Sequence, residues 1–190
     1  MLAQDALERF ALDEVLFVPC SVPPHKAGDT LAPAHDRLAM LRAAVRGNPR
    51  FRVLAAEIER GGVSYSVETL RALRRARPGS RFHFIIGLDT LYELHTLREI
   101  YELLRLCTFV TMFRPGRRAG RRIRLRPPWP ARLRRNLFAG HAIGVSASEI
   151  RARRARGEGI RYLVPAAVER YILARRLYGG KESRRSKRWK

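Results

Sequence analysis

The sequence predicts an α/β fold in which a parallel β-sheet is flanked by helices. Two observations carry that prediction. Short apolar runs alternate with segments of helical period, and each run is nearly continuous in apolar residues, as strands covered on both faces are. A third sets the scale: 190 residues, 46% hydrophobic and 29% charged, suit a domain with a genuine core.

The elements follow in order. LAQDALERFAL reads as an amphipathic helix with Leu2, Ala6, Leu7 and Phe10 on one side. EVLFVP is a buried strand stopped by Pro19, and a polar loop with Pro23, Pro24 and Gly28 follows it. Residues 34–46 form a helix on Leu38, Leu41 and Val45, and FRVL is a second strand. After ERGG, Ser66 opens the helix VETLRAL, with Thr69 where a capping box has its acid. RFHFIIG is the third strand, ended by Gly87, and DTLYEL starts a helix directly after it, with Asp89 near the positive end. LCTFVTMF is the fourth strand, closed by Arg114-Pro115-Gly116. The chain is then irregular to about Pro130, with Trp129 as a loop anchor. HAIGVS reads as a short last strand. SASEIRARRA is a helix capped by Ser146 or Ser148, and PAAVERYILARRL a final one with Pro165 in its first turn. Residues 1–178 are expected to form one domain and 179–190 a basic, disordered tail.

Composition excludes several classes. Two cysteines and no Cys/His cluster speak against a disulfide scaffold and a structural zinc site. Cys20 and Cys107 are expected to be unpaired, Cys107 in the core. No apolar run reaches the roughly 20 residues of a membrane span, and the acidic N-terminus does not resemble a signal peptide. A cytoplasmic protein is the expectation. The formal charge of +22 is lopsided: residues 1–110 carry 15 Lys+Arg against 13 Asp+Glu, whereas residues 111–190 carry 24 against 4. Such a charge attracts polyanions at low salt, so non-specific nucleic-acid binding is expected whatever else the protein does.

In parallel sheets ligands bind beyond the carboxyl ends of the strands. Three loops there carry unusual chemistry and are expected to converge. In PCSVPPHK, His25 and Lys26 follow a stiff Pro-Pro segment and can face an anion, or are incidental surface cations. In IIGLD, Gly87 lets a flat ring approach the backbone and Asp89 can accept ribose hydroxyl hydrogen bonds, or the turn is tight and Asp89 caps the helix. In GVSASEIR, Ser146 and Ser148 at a helix start with Arg151 one turn on make a phosphate cradle, or an ordinary cap beside a surface arginine.

Taken in one order, VLFVPCSVPPHK, GGVSYSVETL, FIIGLDTLYELHTL, FRPG, VSASEIR and YLVPAAVERYI resemble the bacterial nicotinate mononucleotide adenylyltransferases, nucleotidyltransferases of Rossmann-like fold. The resemblance covers about residues 1–178. It implies adenylyl transfer from ATP, with Mg²⁺, to nicotinate mononucleotide, giving nicotinate adenine dinucleotide and pyrophosphate in NAD biosynthesis. It implies further that Ser146, Ser148 and Arg151 bind ATP phosphates, that Gly87 and Asp89 line the adenosine site, and that His25 and Lys26 lie near the mononucleotide phosphate. The backbone at Ser66 and Val67 would meet the nicotinate carboxylate, with Leu97 and Arg98 beside the pyridine ring. Transfer to another phosphate, such as that of pantetheine, shares the fold, but SYSVETL and IIGLD…LHTL point away from it.

Two departures from the family pattern stand out. The segment GG[ST]FDPxHxGH, whose backbone and histidines bind ATP phosphates, is not found; the chain starts in what looks like the helix after it, so the first strand of the sheet is expected to be missing and no catalytic residue is assigned. Leu97 stands where the family usually has Trp, which removes a stacking contribution on the order of 1 kcal/mol. Arg98 could partly replace it by lying over the ring, and Ser148 replaces the commoner Thr. The alternative reading is a catalytically impaired member, or a non-enzymatic module that engages RNA or another polyanion through the basic C-terminal half.

Overall fold

The computed structural model describes residues 1–23, 31–113, 120–141 and 144–179. In chain order the elements are α1 (Leu2–Arg9), β1 (Val15–Phe17), α2 (Ala34–Val45), β2 (Phe51–Val53), α3 (Ala56–Arg60), α4 (Ser66–Ala76), β3 (His83–Gly87) and α5 (Leu88–Glu93). After a 3₁₀ turn at Leu94–Thr96 come α6 (Ile100–Leu106), β4 (Thr108–Phe113), α7 (Trp129–Arg135), β5 (Leu137–Ala139), α8 (Ala147–Ala155) and α9 (Ala166–Ala174). The contacts divide the chain into two compact units, one of Met1–Val15 with Tyr65–Ile143 and one of Leu16–Ser64 with Gly144–Lys190.

The first unit is built on a parallel sheet of order β3-β4-β5. His83 pairs with Thr108 and Gly87 with Met112, and Thr111 to Phe113 run beside Leu137 to Ala139. The middle strand is buried from Phe109 to Met112, which is why TFVTMF reads as a continuous apolar run rather than an alternating one. Leu91, Leu94 and Leu103 of the helical layer are almost fully buried, and Val67, Leu70, Ile123 and Leu133 join the same core. Phe84 and Phe109 meet edge to face at 5.2 Å across the ladder.

Helix α1 closes this unit at β5. The ring of Phe10 sits 5.3 Å from that of Phe138, and Asp5 accepts hydrogen bonds from the His141 backbone N–H (3.1 Å) and pairs with its Nδ1 (2.7 Å). Gly140 is what lets the chain pass so close: a Cβ there would lie 2.9 Å from Leu2 Cδ2 and 3.0 Å from Met112 Cε.

In the second unit β1 pairs with β2, and α2 packs on α9. Ile150, Ile160, Val168 and Ile172 form its buried core, with Met40 and Ala43 against them. Asp36, only 2% exposed, is held by the Tyr171 hydroxyl at 2.7 Å and by Arg175 Nε at 3.3 Å, so the α2–α9 contact contains a satisfied carboxylate. Arg37 fastens the loop after β1: its guanidinium donates to the Cys20 and Ser21 carbonyls at 2.7 Å each and to the Ala32 carbonyl at 3.1 Å.

The α/β reading holds, and several elements differ in detail. The last strand among the described residues lies at Leu137–Ala139, and His141 after it is held by α1; Ala142 and Ile143 of HAIGVS lie outside the described residues. Trp129 opens helix α7 instead of anchoring a loop, and it packs on the core. The short helices α3 and α6 are additional, and Pro165 stands as the cap of α9. Ser66 is the first residue of α4, and no side chain caps that helix. The strands pair in two separate sheets. The Arg114-Pro115-Gly116 breaker and the tail from residue 180 lie outside the described residues. Among the described residues no helix is long and apolar enough to cross a membrane.

Two predictions follow from this packing. The Thr111 hydroxyl is fully buried without a hydrogen-bond partner among the described residues. Thr111→Val removes that desolvated group at constant shape and is expected to raise the unfolding free energy by about 1–2 kcal/mol in urea titration. The second concerns pH. Burial pushes the Asp36 carboxyl up, but the Tyr171 hydrogen bond and the nearby His35 and Arg175 outweigh it and hold the group below its ordinary value. A depressed native pKa stabilises the fold above the unfolded value of about 3.9, and that contribution is lost as pH falls through the native pKa. The melting temperature of Asp36→Asn is therefore expected to fall less between pH 6 and pH 3 than that of the parent chain.

Candidate functional site

Helix ends and strand ends supply the candidate groups. An α-helix leaves its first amides without intrahelical acceptors and carries a partial positive charge there. Helix α8, which starts at Ala147, displays this most openly. Ser146 is its N-cap, with its Oγ accepting from the Glu149 N–H at 3.1 Å. The amides of Ala147 and Ser148 have no backbone acceptor among the described residues. One turn on, Arg151 Nη2 lies 3.3 Å from Ser148 Oγ. Two hydroxyls, open amides and a guanidinium thus share one exposed helix start, with no carboxylate paired to Arg151 among the described residues. The sequence reading left open whether Ser146 or Ser148 is the cap. It is Ser146, which leaves the Ser148 hydroxyl beside Arg151.

In the first unit the carboxyl end of β3 meets α5 at Gly87. The backbone there has φ −85° and ψ 166°, which any residue adopts, and a Cβ would meet nothing within 4 Å. Neither backbone strain nor internal packing demands glycine. The space before this strand end is open, as a ring approaching the backbone requires. Asp89 lies exposed in the first turn of α5 and does not cap it, since Gly87 holds the cap position.

Ser66 and Val67 open α4. Their amides likewise have no backbone acceptor among the described residues, while the Val67 side chain is fully buried and fixes the turn. Leu97 is half-buried and packs against the core. Arg98 is engaged within the protein: its guanidinium lies 4.5 Å above the Tyr65 ring and 3.5 Å from both Glu68 and Glu99. Neighbouring Arg71 pairs with Glu99 and Glu102, which holds the Glu102 carboxyl below its ordinary range.

The structure thus brings Ser146, Ser148 and Arg151 together in the second unit. It places Gly87, Asp89, Ser66, Val67, Leu97 and Arg98 in the first. His25 and Lys26 lie outside the described residues, but the loop leading to them is held from three directions: by Arg37, by the Ser21 N–H on Ser64 Oγ at 2.8 Å, and by a bridge between Val22 and Val63. Arg37 is the positioning residue that sequence reasoning missed. Its signal was faint, one of two arginines in α2. Among the described residues no three His, Cys, Asp or Glu side chains gather into a metal-binding group. Cys107 is free and buried, its Sγ donating to the Leu103 carbonyl, and burial pushes its thiol up to about 12, so it is an inert core residue.

A model of cytidylyltransferase-like proteins matches residues 1–153. A probable nicotinate-nucleotide adenylyltransferase of Halalkalibacterium halodurans is 42% identical over 187 residues, which is 98% of this chain and 86% of the relative. Proteins of the same name from Frankia casuarinae (42% identity, 94% of this chain and 91% of the relative) and Salinibacter ruber (40%, 94% and 89%) are similar. Among solved structures, the Plasmodium falciparum nicotinic acid mononucleotide adenylyltransferase superposes with a TM-score of 0.65 in its NaAD complex and 0.64 in its APC complex. Each match covers 93% of this chain and 87% of that one, at 15% and 14% identity, and shows the shared Rossmann-like fold.

Ser146→Ala removes a cap while leaving the open amides. Stability is expected to drop by about 1 kcal/mol in chemical denaturation.

Proposed function

The chain belongs to the cytidylyltransferase-like family, among the nicotinate-nucleotide adenylyltransferases, and from that premise we propose that it transfers the adenylyl group of ATP to nicotinate mononucleotide. A phosphate oxygen of the mononucleotide attacks the α-phosphorus in line, forming the new P–O bond. The bond from that phosphorus to the β-phosphate bridging oxygen breaks, and pyrophosphate leaves with its electron pair. Such a transfer needs no protein nucleophile. It needs two anions held together and the charge on the leaving pyrophosphate stabilised.

The observation that carries this reading is the start of α8, where Ser146, Ser148, two open amides and Arg151 form a donor set for phosphate oxygens. Gly87 supports it with an open approach for adenosine, and Asp89 with an exposed acceptor for ribose hydroxyls. The amides of Ser66 and Val67 favour a carboxylate over a neutral amide, hence nicotinate over nicotinamide, and Leu97 offers an apolar wall for the pyridine. Arg98, tied to Tyr65, Glu68 and Glu99, supports that wall rather than reaching over the ring. His25 and Lys26 are assigned to the mononucleotide phosphate on the resemblance alone. In this reading Mg²⁺ would enter with the triphosphate and neutralise part of its charge. Residues 1–178 serve as one functional domain, and the reading places the protein in the cytoplasm.

Thermal shift tests the proposal. MgATP with nicotinate mononucleotide, each at about 100 times its dissociation constant, adds about 2.7 kcal/mol per independent site and raises the melting temperature by several degrees. Ser148→Ala/Arg151→Gln is expected to lose most of the ATP shift at unchanged unliganded stability. Gly87→Ala keeps the unliganded melting point, because its Cβ meets only open space, and weakens ATP binding. Absence of any shift in the parent chain with either ligand at millimolar concentration overturns the reading.

A further inference from the structure

Between Glu102 and Glu149 the sequence holds eleven arginines and no carboxylate. Part of this stretch folds in the first unit as the segment 120–128 and helix α7. Arg121, Arg122, Arg124, Arg126, Arg132 and Arg135 are all exposed there, and none has an ion-pair partner among the described residues. Four acids of the same unit are committed elsewhere, with Glu68, Glu99 and Glu102 on Arg71 and Arg98, and Glu14 on Arg77.

These arginines are not loose. Arg121 lies 5.0 Å above the Tyr92 ring, Arg126 5.7 Å above Tyr101 and Arg132 5.2 Å above Trp129. The Arg126 N–H donates to Tyr101 Oη, and Arg134 Nη2 donates to the Arg121 carbonyl, stapling the segment to α6 and α7. Seating a guanidinium on a ring fixes its stem while leaving its donors in solvent, which lowers the entropic cost of meeting an anion.

Beside them α6, α7 and the start of β4 enclose a cleft of 330 Å³, walled by Leu104, Phe109, Leu133 and Trp129, with Arg132 and Arg135 among its lining residues. Its volume is at the low end of the ~300–1,000 Å³ of small-ligand sites and suits one planar, base-sized group. The cleft lies at the amino-terminal end of β4, near Thr108, whereas Gly87 registers with Met112 at the other end. Four residues of strand, about 13 Å, separate the two, so within this unit the cleft is distinct from the β3–α5 turn at Gly87.

We propose that the arginine face of residues 121–135 binds single-stranded nucleic acid, with backbone phosphates on the guanidiniums and one unpaired base in the cleft beside Trp129. Charge alone fits any polyanion. A ring-walled cleft the size of a base, flanked by spaced cations, fits a single strand, whose bases are free to leave the stack. A duplex buries its bases, and polyphosphate has none.

The test uses the full chain with Trp189→Phe, which leaves Trp129 as the sole tryptophan. A fluorescein-labelled uridylate dodecamer is expected to bind by anisotropy and to change Trp129 emission saturably, whereas a duplex of the same length and inorganic polyphosphate compete without changing it. Arg132→Gln/Arg135→Gln is expected to weaken binding about tenfold and to flatten the log K against log salt slope by about 1.4. Arg122→Gln/Arg124→Gln, away from α7, provides a second reading should the first variant fold poorly. Changing Arg184, Arg185, Lys187 and Arg188 of the tail to Gln is expected to retain the Trp129 signal. The proposal is overturned if Trp129 emission does not respond to the dodecamer, if duplex or polyphosphate changes it equally, or if only the tail variant loses binding.

Discussion

Strand β4 is the constraint on which the larger unit depends. It is paired on both edges and buried along its middle, with Val110 and Thr111 fully enclosed, so its position is fixed by both ladder hydrogen bonds and burial. Because β3, β4 and β5 are parallel, their carboxyl ends fall on one side of the sheet. The β3–α5 turn at Gly87 therefore emerges where open approach is available, while α6 and α7 flank the opposite end. Separate surfaces on one sheet follow from a single register.

The arginines of this protein sort by what occupies their donors. Arg37 spends its guanidinium on three backbone carbonyls, and Arg71 and Arg98 spend theirs on glutamates, so these side chains hold structure in place. Arg151, Arg121, Arg122, Arg124, Arg126, Arg132 and Arg135 have no carboxylate partner among the described residues and stay available to an anion from solution. The formal charge of +22 therefore overstates how many cations are free, and says nothing of where they are. Partner geometry, rather than composition, separates positioning arginines from binding ones.

Much of the fold was legible because strand and helix periods are local. FHFIIG and CTFVTMF read as strands, the second buried along its middle, and SASEIRARRA carried its own cap. What failed to read was governed by distant contacts. Leu137–Ala139 finds a ladder on β4, and His141 just after it is held by Asp5, which is 136 residues away in sequence. Helix α7 hides between prolines and arginines, and its core contacts through Leu133 and Trp129 supply what propensity does not. For the candidate site, Ser146, Ser148, Arg151, Gly87 and Asp89 were legible from loop chemistry and family resemblance. Arg37 was not, since its role lies wholly in the carbonyls it reaches.

The sequence by itself determined the α/β class, the strand-end loops that carry polar chemistry, the absence of a cysteine framework and the family. All of these reside in local pattern and segment order. Tertiary structure alone decided which serine caps α8, that Gly87 faces open space, that Arg98 turns to Tyr65 and its glutamates, and that a base-sized cleft stands among unpaired arginines. Each of those depends on which atoms meet across long sequence separations, and pairwise proximity in space is set by packing, which no local window contains.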